Sequence, residues 1–138
     1  MTRATAFLTL VLLAGLSAGC SIGMTAKKYR PAQAPQGVIV HVDSARGKFS
    51  GELIEVRVDS GIVLLADQKL RLLRYTEILS SSVDQTSSRY APSNRTAPKP
   101  DVQAQLRLLS RFPQGLTPEL MGQLLNAYGQ TELAGATP

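Results

Sequence analysis

GVIVHVDSARGKFSGELIEVRVDSGIVLLADQKLRLLRYTEIL, residues 37–79, is a series of short apolar runs separated by turn residues. No run is long enough for an ordinary helix, and the dominant spacing is that of strands. Val38, Val40 and Val42 alternate with Ile39, His41 and Asp43, which predicts a strand with one buried face. Ser44 to Gly47 turns the chain, with Gly47 able to take the positive φ of a tight hairpin. Lys48 to Val58 is the longest strand candidate. Its inward set is Phe49, Gly51 and Leu53, then shifts to Ile54, Val56 and Val58, so a bulge or bend is expected after Gly51. Asp59-Ser60-Gly61 is a second turn and Ile62 to Leu65 a strand buried on both faces. Asp67-Gln68 turns into a fourth strand holding Leu70, Leu72 and Leu73, and Tyr75 to Leu79 supplies a short fifth.

A strand, a glycine-containing turn, a strand beginning F-x-G-E-L, then V-x-x-D-S and an apolar strand resemble a small Sm-like or SH3-like barrel. Gly47, Gly51, Glu52, Leu53, Val56, Asp59 and Ser60 carry the resemblance. It implies a five-stranded barrel over residues 37–79 and a tendency to self-associate. The proline-containing segment before it replaces the N-terminal helix of Sm proteins, and their RNA-contacting loop motifs are not recognisable, so no nucleic-acid partner is expected.

Working outward to the N-terminus, Ala6 to Leu16 is a short apolar segment after Arg3, too short to span a bilayer, which takes roughly 20 apolar residues. It ends in Leu16-Ser17-Ala18-Gly19-Cys20, which resembles a bacterial lipobox. The resemblance implies a signal peptide over 1–19, cleavage between Gly19 and Cys20, and a diacylglyceryl thioether with further acylation (palmitate-type chains) on Cys20. Ser21, rather than an aspartate, follows the cysteine, which implies the periplasm-facing side of the outer membrane. Residues 20–36 then form the lipidated cysteine and a flexible tether with Pro31 and Pro35, in which Lys27, Lys28 and Arg30 are available to anionic head groups.

On the other side, residues 80–100 (SSSVDQTSSRYAPSNRTAPKP) hold few large apolar groups and read as a disordered linker. Residues 101–129 read as a helical hairpin. Asp101 is the expected N-cap of a helix with an apolar face of Val102, Leu106, Leu108, Leu109 and Phe112, ended by Pro113 and Gly115. Thr117 caps a second helix with Pro118 at its first position, a staple between Leu116 and Met121, and Gly129 at its left-handed end. Leu120, Leu124, Leu125 and Tyr128 lie on one stripe that either covers the barrel or docks a partner. Residues 130–138 form a flexible tail. The fold class is therefore mainly β with α: a small five-stranded barrel followed by a C-terminal two-helix hairpin.

The chain carries a formal charge of +5, but residues 37–79 are neutral and the excess lies at Lys27, Lys28, Arg30, Arg89, Arg95 and Lys99, outside the folded surface a nucleic acid would need. One cysteine and one histidine exclude an internal disulfide and multi-histidine or cysteine-rich metal sites. His41 reads as a polar strand residue, and Glu52 and Glu55, three apart in a strand, face opposite sides as solvated groups. The glycines are too scattered for a phosphate loop, and no nucleophilic triad can be assembled by spacing. The expectation is a non-enzymatic, cofactor-free envelope lipoprotein acting as an adaptor or assembly component, with a protein partner or a second copy of itself. A peptidoglycan-binding module and an envelope enzyme are the rival readings.

Overall fold

The computed structural model describes residues 36–136. The signal-like segment, Cys20, Lys27, Lys28 and Arg30 lie outside the described residues. Five strands form one antiparallel sheet: β1 (Ile39–Ser44), β2 (Gly47–Val56), β3 (Gly61–Ala66), β4 (Lys69–Arg74) and β5 (Ile78–Val83), in the order β4-β3-β2-β1-β5. Helices α1 (Pro100–Leu108) and α2 (Pro118–Ala127) follow. β4 and β5 are the two edges and do not pair with each other, so the sheet is open. A one-turn 3-10 helix, Tyr75–Glu77, joins them.

The turns follow from local chemistry. Between β1 and β2, the Ser44 hydroxyl donates to Gly47 O and accepts from Arg46 N, and Gly47 takes a φ of 130°. Between β3 and β4, Asp67 and Gln68 both adopt positive φ (53° and 58°), the backbone pair of a two-residue hairpin whose twist matches the strands.

β2 has its register irregularity between Leu53 and Glu55. Before it, Phe49 and Leu53 face a first core with Val40, Val42, Ile62, Leu64, Leu73 and Ile78; after it, Val56 takes over that side. The extra residue, Ile54, points to a second core with Val63, Leu70 and Leu72. The shift expected in the strand is therefore present, but Ile54 changes face and Val58 is exposed, because a bulge residue is inserted without a cross-strand partner. The alternation of Ile62 and Leu64 with Val63 and Leu65 puts the two cores on opposite faces of the sheet.

The helices do not form the expected hairpin. α1 contributes Leu106, fully buried, to the first core, and α2 contributes Leu125 to the second. The chain passes between the faces at the bulge, where the Leu53 and Ile54 carbonyls accept from Arg111 N and Phe112 N. A bulge frees carbonyls that a regular ladder would occupy, and the connecting segment uses them. α1 starts with Pro100 after Lys99, so Asp101 lies within the first turn rather than at the cap. α2 begins and ends as its sequence predicts: Thr117 accepts from Leu120 N, Pro118 leads, and Gly129 takes a φ of 66°.

Residues 80–99 are not a disordered linker. Ser80 to Val83 belong to β5, paired to β1. The chain then returns along the outer edge of β5, where Asn94 N and Arg95 N donate to Leu79 O and Ile78 O at 3.0 and 2.7 Å. Pro92 is fully buried, and its carbonyl accepts from Ser81 Oγ. The end of the chain is equally engaged. Ala134 N donates to Leu70 O and Leu72 N donates to Ala134 O, laying the tail parallel to β4, while the Gln130 amide satisfies both Leu70 N and Leu70 O. Each sheet edge is thus covered by the chain's own backbone over part of its length, one of the recognised protections against edge pairing.

Tyr75, 3% exposed, closes the first core and donates its hydroxyl to Arg57 O at 2.8 Å. Burial pushes its phenol up to about 12; Arg107 opposes the shift and Asp59 adds to it.

Candidate functional site

α2 and the tail cover the outer face of the sheet only over β3, β4 and the end of β2. The rest of that face, over β1, β5 and the start of β2, stays open. Strand registers set its side chains in rows: Lys48, Asp43 and Ser80 in one, and Ser50, His41 and Ser82 in the next. Val83, the next inward residue of β5, is buried, and the chain leaves the strand at Asp84, whose N donates to Ile39 O. These residues border a groove of about 490 Å³ lined by His41, Asp43, Lys48, Ser50, Ser80 and Ser82.

Within it, His41 stands between two partners. Its Nε2 lies 3.2 Å from Asp84 Oδ1 and its Nδ1 lies 2.8 Å from Ser50 Oγ. A carboxylate only accepts, so in the neutral imidazole the proton sits on Nε2, which leaves Nδ1 as an acceptor for the Ser50 hydroxyl. His41 and Asp84 are both half-exposed. Spacing in sequence could not have shown this. Ser50 meets His41 through cross-strand register, and Asp84 arrives from the far end of β5, 43 residues away, a segment assigned to the linker. The lone His41 was a usable signal; its partners required the strand order.

Lys48 lies 3.8 Å from Asp43 across the next row, both partly or largely exposed. Such a pair adds little stability, a few tenths of a kcal/mol up to about 1. Its charges therefore remain available to whatever enters the groove.

The two glutamates expected to be solvated are structural. Glu52 receives Arg111 Nε and Nη2, each at 2.8 Å, and Gly37 N at 2.7 Å. Glu55, 7% exposed, accepts from Leu116 N at 2.8 Å and from Arg57 Nε at 2.9 Å. Together they fasten the inter-helix segment to β2.

The helical stripe proposed as a docking surface is largely used within the chain. Leu125 is buried, Leu124 and Tyr128 pack on the second core, and Leu120 remains 40% exposed. Cys20, Gly19, Lys27, Lys28 and Arg30 are not among the described residues. No group of three or more histidine, cysteine, aspartate or glutamate side chains with a metal-holding arrangement occurs among the described residues. Comparison of the chain with protein-family models, with curated proteins and with solved structures gave no match.

Proposed function

We propose that this chain is a lipid-anchored protein of a two-membrane bacterial envelope, held at the periplasm-facing side of the outer membrane, whose folded unit acts as an adaptor for an envelope partner. The observation that carries the reading is Leu16-Ser17-Ala18-Gly19-Cys20 after a short apolar segment, followed by sixteen residues of tether before the folded unit. Two or more acyl chains give a stable anchor, at about 0.8 kcal/mol for each buried methylene. The resemblance to small Sm-like or SH3-like barrels fits an antiparallel sheet in the order β4-β3-β2-β1-β5, whose two edge strands follow one another in the chain through one 3-10 turn. Because both sheet edges carry the chain's own backbone, the partner meets the open outer face and its groove rather than adding a strand. Ring assembly through edge pairing is disfavoured for the same reason.

Fractionation of cells tests the anchor. The wild-type protein is expected in the outer-membrane pellet, and Cys20→Ala in the soluble periplasm or as uncleaved precursor. A wild-type protein found wholly soluble contradicts the reading. Capture from detergent-solubilised membranes, set against sedimentation with purified peptidoglycan, separates the adaptor from a wall-binding module.

A further inference from the structure

We infer that Ser50 is an activated nucleophile: His41 is its general base, Asp84 positions the base, and the groove takes an acyl ester. This goes beyond the adaptor reading and does not depend on the anchor. Five serines stand in or beside the same stretch of sheet, yet only Ser50 has its Oγ on an imidazole nitrogen, at 2.8 Å. Ser81 donates instead to Pro92 O and Ser44 to Gly47 O, which use their protons elsewhere. Ser80 and Ser82 also line the groove, but although Ser82 is opposite His41 in register, neither hydroxyl makes a hydrogen bond to the imidazole among the described residues.

The connectivity is that of a nucleophile, a base and an orienting carboxylate, with the two imidazole nitrogens exchanged relative to the serine-protease arrangement. Exchange changes which tautomer is needed, and Asp84 supplies it by accepting from Nε2–H at 3.2 Å. The chemistry is otherwise unaltered. Ser50 Oγ bonds to the acyl carbon as its proton passes to His41 Nδ1. The tetrahedral intermediate then expels the ester's alkoxide, which takes that proton and leaves as the alcohol. Water attacks the acyl-serine, gives a proton to His41, and the acid departs as Ser50 Oγ is reprotonated. Lys48, two residues before Ser50 on the same face, is the cation of this groove available to the intermediate's oxyanion. The groove's open side admits a flexible acyl chain.

The test is active-site labelling of the whole chain with a fluorophosphonate probe, which forms an Oγ–P bond and releases fluoride, with peptide mapping of every labelled serine. Ser50 is expected to react about 10²-fold faster than Ser80 or Ser82, the lower end of what a positioned base supplies. His41→Ala is expected to bring Ser50 down to their rate while leaving the melting curve unchanged, since His41 is exposed. Asp84→Asn keeps an acceptor for the Nε2–H, and Asp84→Ala removes it. Labelling of Ser50 is therefore expected to fall further in Asp84→Ala than in Asp84→Asn at unchanged melting curves, a difference that loss of packing alone would not give. The other charges on that face are Asp43 and Lys48, in the neighbouring row, and Glu52, which is bound by Arg111. Equal labelling of Ser50, Ser80 and Ser82 in the wild-type chain, or no labelling of any, overturns the inference without any variant being needed, and leaves the anchor and the adaptor role standing.

Discussion

Gly51→Val is expected to destabilise the folded unit by more than about 3 kcal/mol, a large share of the roughly 5–15 kcal/mol that holds a domain of this size. A Cβ at Gly51 would stand 2.2 Å from the Leu65 carbonyl oxygen, 2.7 Å from its carbon and 2.9 Å from Ala66 Cβ. Two of these are backbone atoms of the neighbouring strand, which no rotamer change can move aside. Strand propensity alone gives the opposite sign, because valine is a better strand former than glycine. The crossing of β3 over Gly51, just before pairing begins at Glu52 and Leu65, decides it. Ser50→Val, one residue earlier and solvent-facing, is the control and is expected within about 0.5 kcal/mol of wild type. Urea melts of the chain from Ser21 onward measure both, and a neutral Gly51→Val would mean that β3 does not pass there.

Arg111→Ala is expected to cost about 2 kcal/mol, between the value of an exposed ion pair and that of a fully buried one, because the pair is partly buried. The Glu52 carboxylate, 12% exposed, would keep only Gly37 N as a donor among its present partners. The double change Glu52→Gln with Arg111→Met is expected to cost less than Arg111→Ala alone. It removes the stranded charge, preserves an acceptor for Gly37 N and retains apolar volume at position 111. The same melts check this. If the single change is as mild as a surface substitution, the inter-helix segment is not fastened to β2 in the manner described.

How far the sequence reaches depends on the range of the interaction. The first four strands and their turns were legible because alternation and turn chemistry are local: Val40 and Val42 point inward for the reason their spacing gives, and Asp67-Gln68 turns where it should, whereas Tyr75 to Glu77, expected in the fifth strand, form a 3-10 turn and that strand runs Ile78–Val83. α2 was legible because Thr117, Pro118 and Gly129 act within one helical turn of its ends. The linker was misread because its order does not come from its own side chains. Ser80 to Val83 pair with β1, and Asn94 N and Arg95 N donate to carbonyls of Leu79 and Ile78, backbone partnerships of which composition carries no trace. The hairpin was misread for a related reason. An apolar stripe says that a helix has something to cover, not which face of which sheet, and the bulge at Ile54 sends the chain from one core to the other. Glu52 and Glu55 looked solvated because Arg111 and Leu116 lie about 60 residues further on. The groove was hidden most completely, since Ser50, His41 and Asp84 come from three separate segments joined only by register.

The central claim is that residues 36–136 form one cooperative unit, in which the segment after β5 and the C-terminal tail complete the sheet and leave only the grooved part of its outer face open. Native-state amide exchange of the chain from Ser21 onward tests it most directly. Asn94, Arg95, Arg111, Phe112 and Ala134 donate to carbonyls of β5, β2 and β4. Their exchange is expected to slow together with the central strands β2 and β3, with opening free energies within about 1 kcal/mol of one another. Exchange of Arg95 and Ala134 near the rate of an unstructured chain, beside a protected β2 and β3, would contradict it: the sheet would then stand alone with loose ends, and its edges, not its face, would be the surfaces on offer.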